Sequence, residues 1–227
     1  MTITYHDLMH AARAALRAAG VDDEANKLEA QDLICAAAGK TPEQLYRDFS
    51  LYTTDAIAET IEKYMDRRLA GEPIAYIIGE WDFMGLRFFV NPAALIPRVD
   101  TEMLAQLAIS RLKEHPGHTR VLDLCAGTGC VGLSIAATLK NTRAILVDLS
   151  DGALDLCKRN IRRHKLTGRA VYLKGDALQP PSHTLGQFDA LVCNPPYIPT
   201  GDLPALDRSV KDYEPMLALD GGSDGLD

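Results

Sequence analysis

No apolar run in the 227-residue sequence approaches the roughly 20 residues that span a bilayer. The first residues lack a basic segment followed by an apolar core, so no signal peptide is expected. There is no C-x-x-C pair either. Five cysteines, at 35, 125, 130, 157 and 193, are scattered and odd in number. That pattern speaks against a disulfide framework and against a metal site, and suits the reduced, mostly buried thiols of a cytoplasmic protein. Excess positive charge is missing too: the net charge is −7. Residues 1–75 hold 8 Lys/Arg against 13 Asp/Glu, and the remainder 16 against 18. Proteins that grip a phosphate backbone show a basic face, so direct nucleic-acid binding is not expected. An acidic first region would instead attract a basic protein surface. Internal repeats and low-complexity segments are absent.

What is present falls into two styles of patterning. Residues 1–73 read as a helical bundle. Thr4 with Asp7 resembles a capping box, and Leu8, Ala12, Ala15, Leu16 and Ala19 follow at helical spacing before Gly20. A second helix is expected over about 23–38, and Thr41-Pro42-Glu43 marks the start of a third. A fourth starts near Thr54 and ends before Gly71. Residues 74–97 change character. Ile77, Ile78, Trp81, Phe83, Phe88, Phe89 and Val90, interrupted by Gly79 and Gly85, predict a linking β-hairpin. From residue 98 to 227 strands and helices alternate, with strands expected at 120–124, 144–147, 170–173, 190–193 and 216–219. Such alternation predicts an α/β fold of Rossmann-like type, a parallel sheet with helices on both faces.

The segment Val121-Leu122-Asp123-Leu124-Cys125-Ala126-Gly127-Thr128-Gly129-Cys130-Val131-Gly132 reads as strand, glycine turn and helix start. Gly127 and Gly129 let the backbone turn sharply and approach a ligand. With Gly132 they satisfy G-x-G-x-x-G, and Asp148 follows at the end of the next strand, where a carboxylate can accept both ribose hydroxyls. NAD and S-adenosylmethionine both fit this much. Asp123 favours the latter, because a carboxylate at that strand end suits the ammonium of a methionine moiety better than a pyrophosphate. Gly175-Asp176-Ala177 follows the third strand, where Asp176 can accept from an adenine amino group. The expected cofactor contacts are therefore Asp123, Cys125, Ala126, Gly127, Thr128, Gly129, Asp148, Asp176, Ala177 and Asn194.

The run Phe188–Cys193 reads as a buried strand, followed at its carboxyl end by Asn194-Pro195-Pro196-Tyr197. In open α/β sheets that end is where ligands bind. Two prolines remove two N–H donors and fix the backbone, leaving carbonyl acceptors. Asn194 adds a side-chain oxygen and Tyr197 a flat ring. This is a pocket for a planar group bearing NH₂, and Asn194, Pro195, Pro196 and Tyr197 are the candidate catalytic residues. Cys193, beside the motif and with no histidine near in sequence, reads as a strand-closing residue rather than a nucleophile. Arg98 and Glu102 are candidates for an ion pair near the cofactor entrance.

These stretches together resemble the protein-(glutamine-N5) methyltransferases of peptide chain release factors, the HemK/PrmC family. The resemblance is carried by Gly71–Gly79, by Leu95-Ile96-Pro97-Arg98-Val99-Asp100-Thr101-Glu102, by the glycine turn, by Asn194–Tyr197 and by Tyr213-Glu214-Pro215-Met216-Leu217-Ala218-Leu219. It implies S-adenosylmethionine-dependent methylation of the amide nitrogen of a glutamine, in the Gly-Gly-Gln loop of a class-I release factor. It also implies that the bundle docks a second surface of that partner. An adenine-N6 DNA or guanine-N2 RNA methyltransferase would use the same NH₂ pocket, and a non-catalytic binding module is a further alternative. The chain departs from the family at Val99-Asp100, where Pro-Glu is usual, and at Cys125, where Gly is usual. The family continues past the position of Asp227 with a helix and two strands, so the sheet is expected to lack its last strands.

Overall fold

The computed structural model describes residues 3–180 and 183–226. Two compact units divide at Ile78 and Gly79. Among the described residues, no helix is long and apolar enough to cross a membrane.

The first unit is helical. α1 (Tyr5–Ala18) opens with a reciprocal capping box, Asp7 N–H on Thr4 Oγ1 at 3.1 Å and Thr4 N–H on Asp7 Oδ2 at 3.2 Å. α2 (Asp23–Ala38) is capped by Asp22 and ends on Gly39 at φ 62°. α3 (Pro42–Arg47) carries Pro at its first turn behind the Thr41 cap. α4 (Asp55–Leu69) is tied to α2 by Arg68, whose guanidinium meets Glu29 at 2.8 and 3.0 Å. Leu8, Leu16, Leu33, Ile34, Leu45 and Ile61 form the core. One expectation fails here. Ile77 and Ile78 belong not to a strand but to a short helix, α5 (Ile74–Ile78), with Ile77 buried in the bundle core. Pro73 accounts for it: its fixed φ presets a helical turn, and its carbonyl accepts Ile77 N–H at 3.2 Å.

The second unit begins with a hairpin, β1 (Glu80–Phe83) against β2 (Leu86–Phe89), turned at Met84 and Gly85 with φ of 53° and 71°. Paired positive φ values make a turn whose twist matches the strands. There follow α6 (Val99–Lys113), β3 (Thr119–Leu124), α7 (Cys130–Thr138), β4 (Thr142–Asp148), α8 (Asp151–Arg163), β5 (Ala170–Lys174), β6 (Ala190–Cys193) and α9 (Arg208–Lys211). The strands pair in parallel in the order β5-β4-β3-β6. The chain steps outward from β3 through β4 to β5, then returns to β3's other side. That reversal opens a crevice at the strand carboxyl ends.

Among the described residues, α6, α7 and α8 pack on one face of the sheet, where helices on both faces were expected. Ala105 and Leu112 of α6, Leu133 and Ile135 of α7, and Cys157 and Ile161 of α8 all join one core with Val121, Leu146, Ala170 and Val192. On the opposite face Leu122, Ile145 and Val147 cluster with Leu124 and Phe188, with no residue of those three helices among them. Leu191 on that face is 61 % exposed. The strand expected at 216–219 is a 3-10 turn, Met216–Ala218. Pro215 offers no N–H, and its carbonyl accepts Ala218 N–H at 2.9 Å, which closes the turn. Only Asp220 pairs as a bridge, with Ile198.

Candidate active site

The glycine turn is built by hydrogen bonds from β4 and α8 and by one within the turn itself. Ala126 N–H reaches Val147 O at 3.0 Å, and Gly129 N–H reaches Ala126 O at 2.7 Å. Asp148, at the end of β4, accepts Gly127 N–H at 2.7 Å through Oδ2 and Ser150 N–H at 2.9 Å through Oδ1. Asn160 of α8 is fully buried. It donates to Thr128 O at 2.9 Å and to Phe89 O at 3.1 Å, and accepts Phe89 N–H at 2.8 Å. One amide thus locks the hairpin and the glycine turn to the same helix, a role no sequence pattern announced. Cys125 opens the turn at φ 54°. A left-handed residue there explains why the family places glycine at that position.

Gly132 explains the third glycine of the fingerprint. A Cβ there would stand 2.6 Å from Leu146 Cδ2 and 2.9 Å from Asp123 Oδ2. Its N–H donates to Asp123 Oδ2 at 2.8 Å. Asp123 is 2 % exposed, and that peptide N–H is its one hydrogen-bond donor among the described residues. Burial pushes its carboxyl up to about 7, the Gly132 N–H opposes the shift, and the nearby Asp148 charge adds to it.

These groups face a cleft of about 440 Å³, the size of a small-molecule site. Of the expected cofactor contacts, Asp123, Cys125, Ala126, Gly127, Thr128, Asp148, Asp176, Ala177 and Asn194 line it. Gly129 does not: it caps α7 at φ 78°, beneath the surface, where a Cβ would stand 2.9 Å from Leu146 Cδ1. Asn194, Pro195 and Pro196 line the same cleft, placed there because Cys193 pairs with Leu124 across the β3–β6 ladder. Asn194 Nδ2 lies 3.4 Å from Thr101 Oγ1. Tyr197 is outside the lining and 65 % exposed. Its backbone is packed by the following loop instead: a Cβ at Gly225 would stand 2.5 Å from Tyr197 O, and one at Gly221 would stand 2.8 Å from Tyr197 Cα.

Two walls lay outside the expected contact set. Residues 93–98 with Thr101 form one, and Pro215, Leu217, Ala218 and Asp220 the other. Glu214 joins them: it accepts Ile96 N–H at 3.1 Å through Oε2 and takes the Arg98 guanidinium on Oε1. The expected Arg98–Glu102 pair does not form. Glu102 instead accepts Met84 N–H at 2.6 Å, holding the hairpin turn.

The family model of the PrmC N-terminal domain matches residues 7–79, and that of the methyltransferase small domain matches residues 98–218. The release factor glutamine methyltransferase of Geobacter sulfurreducens is 40% identical over 217 residues, covering 95% of this chain and 72% of its own length. That of Moorella thermoacetica is 41% identical over 212 residues, covering 93% and 73%. The same-named protein of Nitratidesulfovibrio vulgaris is 35% identical over 229 residues, covering 99% and 74%. The chain belongs to the release factor glutamine methyltransferase family. It is an S-adenosylmethionine-dependent methyltransferase, as the resemblance at Leu95–Glu102 and Asn194–Tyr197 implied.

The cleft of this family member fits that cofactor in chemistry. A buried carboxylate with an incomplete set of donors, Asp123, suits an ammonium. Asp148 places a second carboxylate on the cleft wall, chemistry that suits hydroxyl groups. Ala93, Ala94, Leu149 and Leu178 give an apolar lining for a nucleoside.

Proposed function

We propose that this chain methylates the side-chain amide nitrogen of a glutamine in the Gly-Gly-Gln loop of a class-I peptide chain release factor. The work is done in the cytoplasm, in translation termination. The observation that carries the reading is the shared cleft: Asn194 and Pro195 line the same cavity as Asp123, Gly127 and Asp148. When bound, S-adenosylmethionine supplies an electrophilic methyl group on a sulfonium.

The chain's own groups do the rest. An amide nitrogen is a poor nucleophile because its lone pair is delocalised into the carbonyl. Asn194 Oδ1 and the Pro195 carbonyl each accept one N–H of the glutamine NH₂, and favour the positive charge that grows on nitrogen. Holding the nitrogen in line at near-contact distance supplies a large share of the acceleration by proximity. Asp123 holds the ammonium, Asp148 the ribose and Asp176 the adenine edge. The apolar walls exclude water, which suits a reaction in which the sulfonium charge disappears. The helical unit, with its excess of Asp and Glu, docks a second surface of the partner.

Radiolabel transfer tests this directly. Label should pass from S-adenosylmethionine to a class-I release factor and not to its Gln→Ala variant. Label on DNA or RNA instead would replace this substrate with a nucleobase, and no label on any acceptor, with cofactor bound, would leave a binding module.

A further inference from the structure

The helical unit holds more acid than base, 8 Lys/Arg against 13 Asp/Glu over residues 1–75. Most of those cations are paired within it. Arg17 meets Asp23, Lys40 and Arg47 share Asp48, Arg67 meets Glu72, and Arg68 meets Glu29. Three take no carboxylate among the described residues: Arg13, Lys27 and Lys63. Two of these three meet at one groove of about 210 Å³, lined by Met9, His10, Arg13, Lys27, Tyr46 and Phe49. In a unit rich in acids, no Asp or Glu lines it.

The groove is already built. Arg13 is half-buried, and its Nε donates at 3.0 Å to Oδ1 of Asn26, which is fully buried. Asn26 is fixed in turn, its Nδ2 on Asp23 Oδ1 at 3.2 Å. That leaves the two terminal guanidinium nitrogens, which can take both oxygens of a carboxylate. Lys27 is exposed and makes no hydrogen bond among the described residues. Met9 belongs to the bundle core, and Phe49 packs against that core. Tyr46 is held by its hydroxyl, which donates to Gln31 Oε1 at 2.9 Å. Charge and apolar wall thus stand side by side.

We propose that this groove is a docking site on the protein partner's path to the enzyme, and that its occupant is a surface Asp or Glu of the release factor with an apolar residue beside it. The proposal rests on the function proposed above for the identity of the partner, and on the groove's own charge and lining for the chemistry. Its volume is below that of ordinary small-molecule sites, about 300 Å³ and upward, and suits one or two side chains. An entering carboxylate pairs with Arg13 and Lys27, with no acid in the lining to repel it. The apolar neighbour covers Met9, Tyr46 and Phe49 and sheds water, which strengthens those ion pairs. The polarity is the reverse of the unit's overall charge. Acidic surroundings steer a basic surface toward the unit, and the groove fixes register by accepting an acid.

The test uses the full chain and a class-I release factor, with affinity measured by calorimetry and kcat/KM by methyl transfer. Lys27→Glu and Arg13→Gln should each weaken binding on the order of 10-fold, and kcat/KM should fall in step. Lys63→Glu, a reversal of the third unpaired cation and outside the groove, should bind as the parent does. The gap between the parent and Lys27→Glu should narrow as salt is raised. Thermal melts accompany each variant. Because Arg13 also anchors Asn26, Lys27→Glu decides the matter if Arg13→Gln melts early. Lysine replacements of surface acids on the factor should include one whose loss is not additive with Lys27→Glu. Parental affinity in Lys27→Glu overturns the proposal, even where the factor is methylated. So does an equal loss in Lys63→Glu, or a factor with no such coupled acid. A factor that binds through the groove as described yet is never methylated overturns the functional reading and leaves the docking site standing.

Discussion

Arg98 and Glu214, 116 residues apart, are joined by a salt bridge that closes one end of the cleft. The carboxylate is almost fully enclosed, its side chain 1 % exposed, while the guanidinium is 41 % exposed. Two segments with no other sequence relationship, the strap at 95–98 and the turn after Glu214, are thereby tied together where both line the cleft.

The exposures make the two partners unequal. In Arg98→Met, Glu214 keeps only the Ile96 N–H and is left a buried, uncompensated charge, which costs about 3 kcal/mol. Glu214→Gln retains an acceptor for Ile96 N–H and frees an arginine that can turn to water, which costs about 1 kcal/mol. Urea denaturation should show the larger drop in midpoint for Arg98→Met. Equal losses would mean that the bridge contributes by packing alone.

Asn194→Ala removes one of the two acceptors for the glutamine NH₂. Loss of one such group typically costs about 10²–10³-fold in kcat. Dissociation of S-adenosylhomocysteine, followed by calorimetry, should change little, because Asp123, Asp148 and Asp176, the acids proposed to hold most of the cofactor, are untouched. Asn194→Asp keeps the oxygen but adds a charge beside Asp123 and Asp148, and should also be slow. An Asn194→Ala chain with undiminished turnover removes this residue from the reaction.

Much of this site was legible in one dimension because its chemistry is local. Gly127, Asp148 and Asn194 each sit at a strand's carboxyl end, and parallel strands align those ends. The four longer bundle helices were readable from signals such as Thr4 with Asp7 and Thr41 before Pro42. What was not legible depends on distant partners. Arg98 had an acid four residues on, at Glu102, yet Glu214 captured it and Glu102 turned to the Met84 N–H. Asn160 looks like any helical polar residue until it is seen bonding Thr128 and Phe89. Ile77 and Ile78 carry strand-type side chains, and Pro73 with the bundle core overrode that propensity. Tyr197 follows the acceptor motif directly, but packing of its backbone against Gly221 and Gly225 fixes it away from the cleft.

Gly132→Ala tests why α7 lies so close to the sheet. The added methyl would stand 2.6 Å from Leu146 Cδ2, 2.9 Å from Asp123 Oδ2 and 3.1 Å from Asp123 Cβ. The glycine's φ is not in the left-handed region, so backbone strain does not enter. Overpacking of this kind costs about 2 kcal/mol. Because the clash falls on Asp123, cofactor affinity should drop with stability. A variant destabilised to this degree but binding S-adenosylhomocysteine normally would show that Asp123 is not held by α7.

If Asp123 holds the cofactor's ammonium as proposed, cofactor binding should depend on pH. Its folded value of about 7 lies above the ordinary carboxylate value of 3.8. Between those values the native chain holds a proton that the unfolded chain has released. The unfolded state therefore binds fewer protons, and this residue's stabilising contribution, complete below 3.8, is lost as pH rises through about 7. Binding has the opposite sign. An ammonium pairs with the ionised carboxylate, so affinity for S-adenosylhomocysteine should rise as pH is raised toward about 7 and then level off. Asp123→Asn keeps an oxygen for Gly132 N–H while discarding the charge. It should lose affinity, lose this pH slope, and be more stable than the parent chain above pH 7, where the parent carries a buried charge. Calorimetric titrations from about pH 5 to pH 8, with thermal melts on the same samples, separate the two effects. A pH slope that survives in Asp123→Asn would assign the titration to another group.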